Sequence, residues 1–396
     1  MNAVAFILYS FFLFGVASTA FPKQWRRFYL LFLIRTLLVA ALFVLPDKLA
    51  EVEIFEVTTK GLSHNFLVYY MFSFPVVEVS GLARGAMASV SHVGVFLISI
   101  YVVNKAGFQS RRGRQFAMIT LTMFPDILYF SAFSLRDPLI AGLSMLLVFH
   151  TYQHIALHQQ LSWKLIGIVT LMLYSLRPEV IIWIGAVLVF HSIVPRLSVR
   201  GTLLFTFIGV VALISAFDVI APELLKFVKI LPSDWNFSGL DALRAVADMR
   251  FERQFSDADG SGSTSSILSR STYYDTGNVQ LIAIQSVSFI FLTTVGIGAA
   301  TLVAILTILV LLGMVLQKFI FSTLNKVQLY VLLTGYMAYA MYSPLIVNGG
   351  NAFRMRLPLV AIMLLFIVLP KPRKYLVRSV GRTGDAVGTS AELPAT

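Results

Sequence analysis

Four arginines flank long apolar segments of the chain: Arg136, Arg177, Arg354 and Arg356. The guanidinium group is a planar fork of N–H donors that matches phosphate oxygens and keeps its charge. The arginines belong to three separate segments, so a fold that gathers the ends of these segments would bring the side chains together. We predict that the four arginines line one cavity and bind a pyrophosphate group.

Acidic side chains accompany these arginines. Asp137 follows Arg136 directly, and Glu179 comes two residues after Arg177. Asp126 lies within an apolar segment, where an ionisable group is costly and usually faces a cavity or a partner. A carboxylate or an imidazole in such a place can accept the proton of an attacking hydroxyl group. Candidates for such an acid–base role are Asp137, Glu179, Asp126 and His64.

A structural interpretation stays open for the same residues. The pairs Arg136–Asp137 and Arg177–Glu179 are also typical of ion pairs at helix ends. The two arginines ahead of the last apolar segment are also typical of anchors for lipid headgroups. Arg35, inside an apolar segment, is predicted to extend its long side chain towards the cytoplasmic membrane surface.

Composition indicates where these residues must be placed. Of the 396 residues, 58% are hydrophobic and only 13% are charged, whereas a soluble domain carries about 25% charged residues. The chain has no Cys, which excludes disulfides, thiol catalysis and thiolate metal sites. The net charge is +12, but the basic residues interrupt apolar runs and form no continuous basic face. We therefore predict a membrane protein without a nucleic-acid partner.

Apolar runs long enough to span a bilayer predict the elements. A transmembrane helix needs about 20 apolar residues. About eleven segments are candidates: 3–19, 28–46, 88–104, 116–134, 138–153, 162–176, 180–195, 201–219, 293–316, 327–346 and 357–370. The predicted fold class is thus all-α, a polytopic integral membrane protein.

The segments between the spans define the predicted domain organisation. Residues 1–378 form a single membrane domain with long outer loops at about 47–87 and 220–292. Residues 379–396 are small and polar, which is typical of a disordered tail.

The distribution of charge predicts the orientation. Basic residues gather near 23–27, 105–114, 196–200 and 318–326, and these loops contain no Asp or Glu. Basic loops face the cytoplasm. The N-terminus is therefore predicted to lie on the outer side of the membrane and the C-terminus in the cytoplasm.

Two short segments carry a resemblance to a known class of protein. Residues 124–131 (FPDILYFS), which run into Leu135-Arg136-Asp137, resemble the O-antigen polymerases of bacterial envelopes, as does the large late outer loop. Residues 354–358 (RMRLP), before a final span, are similar to membrane-embedded glycosyltransferases that depend on polyprenyl phosphates.

This resemblance implies a reaction and partners. It implies a role in lipopolysaccharide biosynthesis in the inner membrane of a bacterium, with the N-terminus in the periplasm and the C-terminus in the cytoplasm. The reaction is metal-independent transfer of a glycan from undecaprenyl pyrophosphate to a second lipid-linked repeat unit, on the periplasmic face and without a cofactor. The acceptor hydroxyl then needs a general base, and the predicted catalytic residues are Asp137, Glu179, Asp126 and His64. The partners are then the lipid-linked glycan and the bilayer, with a chain-length regulator as a further candidate. Two alternatives remain: another polyprenyl-dependent transferase or an O-antigen ligase, and a transporter or flippase of lipid-linked glycans.

Overall fold

The computed structural model describes residues 2–19, 27–44, 82–108, 110–132, 136–157, 162–177 and 356–370, with isolated positions between 160 and 317. In these ranges the regular secondary structure is helical, and no strand is present. The helices are α1 (Asn2–Thr19), α2 (Tyr29–Leu42), α3 (Ala83–Lys105), α4 (Arg111–Met123), α5 (Pro125–Ser131), α6 (Asp137–Leu157), α7 (Trp163–Leu176) and α8 (Leu357–Val368). The all-α prediction is confirmed for this part of the chain.

Two of the described helices are long and apolar enough to cross a membrane: α1, and α3 from Arg84 onward. They coincide with the predicted spans at 3–19 and 88–104. Helices α2, α7 and α8 are apolar but shorter. The total of about eleven spans stays a prediction, because the segments 180–195, 201–219, 293–316 and 327–346 lie almost entirely outside the described residues. The tail and most of both outer loops lie outside them as well.

The predicted single helix over 116–134 is wrong, because the chain breaks at Phe124. Helix α4 ends at Met123, Phe124 is extended with φ −62° and ψ 134°, and α5 begins at Pro125. A proline ring disfavours the helical conformation of the residue before it and removes one backbone donor. The break places Asp126 in the first turn of α5 rather than in the middle of a continuous helix.

Side-chain contacts fix the directions of the helices. Helix α1 runs parallel to α3, since Gly85 donates to the side chain of Asn2 and Phe14 meets Phe96. Helix α2 runs antiparallel to α1, with the rings of Phe14 and Phe32 stacked at 4.1 Å. Helices α4 and α5 together form one broken rod. When they are counted as one element, successive elements from α1 to α7 run in alternating directions.

The contacts of α6 place the last two described helices. Gln153 near its end donates to the carbonyl of Lys105, the last residue of α3, so α6 is parallel to α3. Tyr152 packs against Phe366 near the end of α8. The first turns of α1, α3, α6 and α8 therefore lie at the same end as the last turns of α2, α5 and α7. We call this the arginine end, after the four arginines that it holds: Arg84, Arg136, Arg177 and Arg356.

Candidate functional site

An ion pair joins the start of α6 to the end of α7. Arg177 Nη2 lies 2.9 Å from Asp137 Oδ1, and both side chains are almost completely buried. Arg177 follows the last residue of α7 in an extended conformation, with φ −161° and ψ 92°. The next residue in the sequence is Pro178, which disfavours a helical conformation at Arg177. The end of α7 thus points this guanidinium at the first turn of α6.

Arg136 lies beside this pair and contacts the same helix end. Its Nη1 donates to the carbonyl of Leu176, the last residue of α7, at 2.7 Å. Carbonyls in the last turn of a helix have no helical partner, and a cation there also offsets the helix dipole. Asp137 in turn places a negative charge at the positive end of α6. We call Arg136, Asp137 and Arg177 the upper cluster.

A second ion pair lies between α5 and α8. Arg356 Nη2 is 3.3 Å from Asp126 Oδ2, and the side chain of Asp126 is completely buried. Arg356 directly precedes α8, and the two residues are 230 positions apart in the sequence. Burial lowers the pKa of Arg356, whereas the charge of Asp126 and its hydrogen bond oppose that shift. The carboxylate therefore offsets part of the desolvation of this arginine. We call Asp126 and Arg356 the lower pair.

Asp126 and Asp137 are the two carboxylates of the described residues, and each has an arginine as partner. Arg84, also at the arginine end, donates to the carbonyl of Ala132 at 3.3 Å and lies over the Phe43 ring, 4.7 Å from its centre. In the described part of the chain, no group of three or more His, Cys, Asp or Glu side chains is arranged to hold a metal ion. The charges of this end therefore form arginine–carboxylate and arginine–carbonyl contacts.

The structure places five of the predicted site residues. It brings Arg136, Asp137 and Arg177 together, and it joins Asp126 to Arg356. Arg177 pairs with Asp137 in these contacts, and the alternative pair of Arg177 with Glu179 lies outside the described residues. Three predicted site residues lie outside the described residues: Glu179, His64 and Arg354.

The burial and the hydrogen bonds of Arg35 were not predicted from the sequence. Arg35 was expected to reach the membrane surface, but it is completely buried, and its guanidinium donates to the carbonyl of Thr122 at 2.9 Å. It also contacts His92 and Ser131. The expectation is wrong because polar groups within the bundle lie within reach of the side chain. Arg35, His92 and Ser131 all lie inside predicted apolar spans, and that shared position was the available indication.

No family model, no curated protein and no solved structure matches this chain. The resemblance to polymerases and polyprenyl-dependent transferases therefore rests on the sequence segments alone. The side chains of the arginine end bear on ligand binding independently of these segments. Guanidinium groups bind phosphate oxygens as well as carboxylates, so Arg136, Arg177 and Arg356 have the donors for such a ligand.

Proposed function

We propose that this chain is a membrane glycosyltransferase, a polymerase of O-antigen type. It transfers a growing glycan from undecaprenyl pyrophosphate to a lipid-linked repeat unit. In this proposal the chain is polytopic, with about eleven transmembrane helices in a bacterial inner membrane. The arginine end faces the periplasm, where two lipid-linked substrates can meet.

The observation that carries the proposal is the pair of buried Asp–Arg contacts at one end of the bundle. Asp137 with Arg177, and Asp126 with Arg356, connect four different helices. Ionisable groups within apolar helices are costly and usually mark a substrate path or a reaction centre. Acid and cation together provide the two groups that a transfer from pyrophosphate needs: a base for the acceptor and a positive charge for the leaving group.

Exposed apolar faces support the membrane location. The outer surfaces of α1 and α2 carry large apolar side chains in the open, among them Leu8, Phe12 and Leu30, each at least 60% exposed. Large exposed apolar surfaces are rare on soluble proteins and mark contact with a membrane or a partner. The basic residues of the opposite end, such as Arg112 and Lys164, fit the cytoplasmic side of such a membrane.

In the proposed reaction, the acceptor hydroxyl oxygen attacks C1 of the donor sugar. The bond between this oxygen and C1 forms as the bond between C1 and the phosphate oxygen breaks, and the pyrophosphate leaves with the electron pair. The hydroxyl proton passes to a carboxylate, for which Asp137 is the first candidate. Arg136, Arg177 and Arg356 stabilise the negative charge that develops on the leaving pyrophosphate.

The ion pair between Arg177 and Asp137 can couple binding of the donor to activation of the base. Arg177 Nη2 lies 2.9 Å from Asp137 Oδ1. A pyrophosphate offers more oxygen acceptors and more charge than one carboxylate, so it competes for the guanidinium. When Arg177 turns to the pyrophosphate, the carboxylate of Asp137 is released to accept a proton. Binding of the donor and activation of the acceptor are thereby coupled.

The broken helix favours a second candidate function. Discontinuous helices whose ends point at charged groups are typical of secondary transporters. The break at Phe124, beside the buried Asp126, is such a feature. A transporter or flippase of lipid-linked glycans is therefore the alternative, and other polyprenyl-dependent glycosyl transfer, including O-antigen ligation, uses the same charged groups.

A strain that lacks the gene separates these functions. We expect its lipopolysaccharide to carry a single repeat unit on lipid A–core, without the ladder of longer chains, because ligation and export remain intact. Gel electrophoresis of the extracted lipopolysaccharide measures this pattern, and a plasmid copy of the gene is the control. Loss of every repeat unit from lipid A–core would contradict polymerisation. It would favour a ligase, or a flippase where the lipid-linked units accumulate on the cytoplasmic side.

A further inference from the structure

The guanidinium of Arg35 lies at the break between α4 and α5 and contacts both halves of the rod. Its Nε donates to the carbonyl of Thr122 in the last turn of α4, at 2.9 Å. Its Nη2 donates to Ser131 Oγ at the end of α5, at 3.0 Å. Ser131 in turn donates to the carbonyl of Ile127, one turn earlier in α5. A single side chain of α2 therefore connects the end of one half to the end of the other.

The same guanidinium is held from the opposite side by His92 on α3. Arg35 Nη1 contacts His92 Nδ1 and donates to the His92 carbonyl at 2.8 Å. Thr36 donates its single proton to the carbonyl of Phe32 at 2.8 Å, so it must accept the proton of His92 Nε2 at 3.0 Å. A neutral His92 with its proton on Nε2 satisfies all these contacts, since Nδ1 is then free to accept from Arg35.

These contacts are those of a brace rather than of an anion site. Four of the five N–H groups of Arg35 are engaged with neutral acceptors. The two carboxylates of the described residues are engaged by Arg177 and Arg356 instead. Carbonyls at the end of a helix lack helical partners, and such groups are costly at membrane depth. Arg35 supplies that partner at the end of α4.

We propose that Arg35 is a positioning residue, which holds the two halves of the broken rod at a fixed angle and so places Asp126 against Arg356. Asp126 lies within the short segment that Arg35 spans, two residues after Phe124. The angle of α5 relative to α4 decides where this carboxylate points. The contribution of Arg35 to the reaction rests on the proposed glycosyl transfer, whereas its effect on the angle does not.

A distance measurement tests the geometry without reference to activity. The chain contains no Cys, so spin labels can be attached at Tyr129→Cys on α5 and Ile168→Cys on α7. We expect Arg35→Gln to broaden or shift the distance distribution obtained by pulsed electron paramagnetic resonance. Arg27→Gln is the matched control, because Arg27 is an exposed arginine near the start of α2. An unchanged distribution in folded Arg35→Gln would overturn the proposal.

If Arg35→Gln does not fold, two milder variants test the same proposal. Ser131→Ala removes one contact of the guanidinium, and Arg35→Lys keeps the charge but cannot reach three partners with a fork of donors. We expect both to broaden the distribution, to a lesser extent than Arg35→Gln. Parental distributions in both variants, together with full activity, would contradict a positioning role.

Rates connect the geometry to the reaction. We expect Arg35→Gln to lower kcat about 100-fold, the scale of a misplacement of about 1 Å in an active site, with KM close to the parental value. In an Asp126→Asn background the same substitution should have little further effect, because effects that act through one group are not additive. Additive losses would overturn the proposed route through Asp126. A broadened distribution in a chain with no transfer activity would contradict the proposed function and leave the positioning role intact.

Discussion

Asp126→Ala is expected to lower the free energy of unfolding by about 3–5 kcal/mol, the usual cost of removing one member of a buried ion pair. The substitution leaves the guanidinium of Arg356 buried without this carboxylate, which offsets part of its desolvation. Unfolding of the purified protein in detergent micelles, by heat or by denaturant, measures the loss. Arg112→Gln, at an exposed arginine of α4, is the control and should change stability by less than about 0.5 kcal/mol.

A double variant separates the structural role of the lower pair from its functional role. Asp126→Leu combined with Arg356→Met replaces both charges by apolar groups of similar size. Such replacements of a whole buried pair are often neutral or stabilising. We expect most of the lost stability to return while transfer activity stays well below the parental level. A double variant with full activity would show that the lower pair only stabilises the bundle.

Asp137→Asn is expected to lower kcat by about 100- to 10,000-fold, the usual contribution of a general base. The amide keeps the size of the side chain but cannot accept the hydroxyl proton. KM for the donor should not rise, because the arginines that hold the pyrophosphate remain and the carboxylate that competes for Arg177 is gone. Single-turnover rates with a lipid-linked donor and acceptor measure the effect.

The neighbouring arginine provides the matched comparison. Arg177→Lys keeps a positive charge beside Asp137 but loses the fork that binds two oxygens. We expect this variant to lower kcat/KM for the pyrophosphate donor, because Arg177 both binds the donor and stabilises the charge on the leaving group. Asp137→Asn with at least half of the parental kcat would exclude Asp137 as the base. Glu179, Asp126 and His64 would then remain as candidates.

The positions of most described helices could be predicted from apolar runs alone. Segments 3–19 and 162–176 match α1 (Asn2–Thr19) and α7 (Trp163–Leu176) within a residue, since the length of an apolar run directly reflects the length of a buried or lipid-facing helix. Pro125 was visible in the sequence as well. A proline inside a long apolar segment is compatible with a kink or with a complete break, and only the extended Phe124 decides between them.

The partners of the charged residues could not be predicted from sequence. The sequence offered Glu179, which lies outside the described residues, as one partner for Arg177, because the two residues are neighbours in the chain. The observed partner, Asp137, is 40 residues away and meets Arg177 because α6 and α7 are antiparallel and adjacent. The two residues of the lower pair are 230 positions apart in the sequence. The sequence placed Asp137, Arg177 and Arg356 at helix ends and Asp126 within a span, whereas tertiary packing determines which of these residues meet.

Arg35 shows the same limit from the opposite direction. A long basic side chain in an apolar helix usually extends to the membrane surface. Arg35 stays inside the bundle instead, because α3, α4 and α5 each provide an acceptor for its guanidinium. The sequence of one helix contains no information about acceptors on other helices. The contacts of Arg35 with α3, α4 and α5 could therefore not be predicted from its own segment.

The most direct test of the central claim is extension of a lipid-linked glycan by the purified protein. The substrate is the undecaprenyl pyrophosphate repeat unit isolated from the strain that lacks the gene, and the assay contains EDTA because the resemblance implies metal-independent transfer. Mass spectrometry of the lipid-linked products measures chain length. We predict products of two and more repeat units with the parental protein, and unextended substrate with Asp137→Asn. Unextended substrate with the folded parental protein, or turnover that EDTA abolishes, would contradict the account.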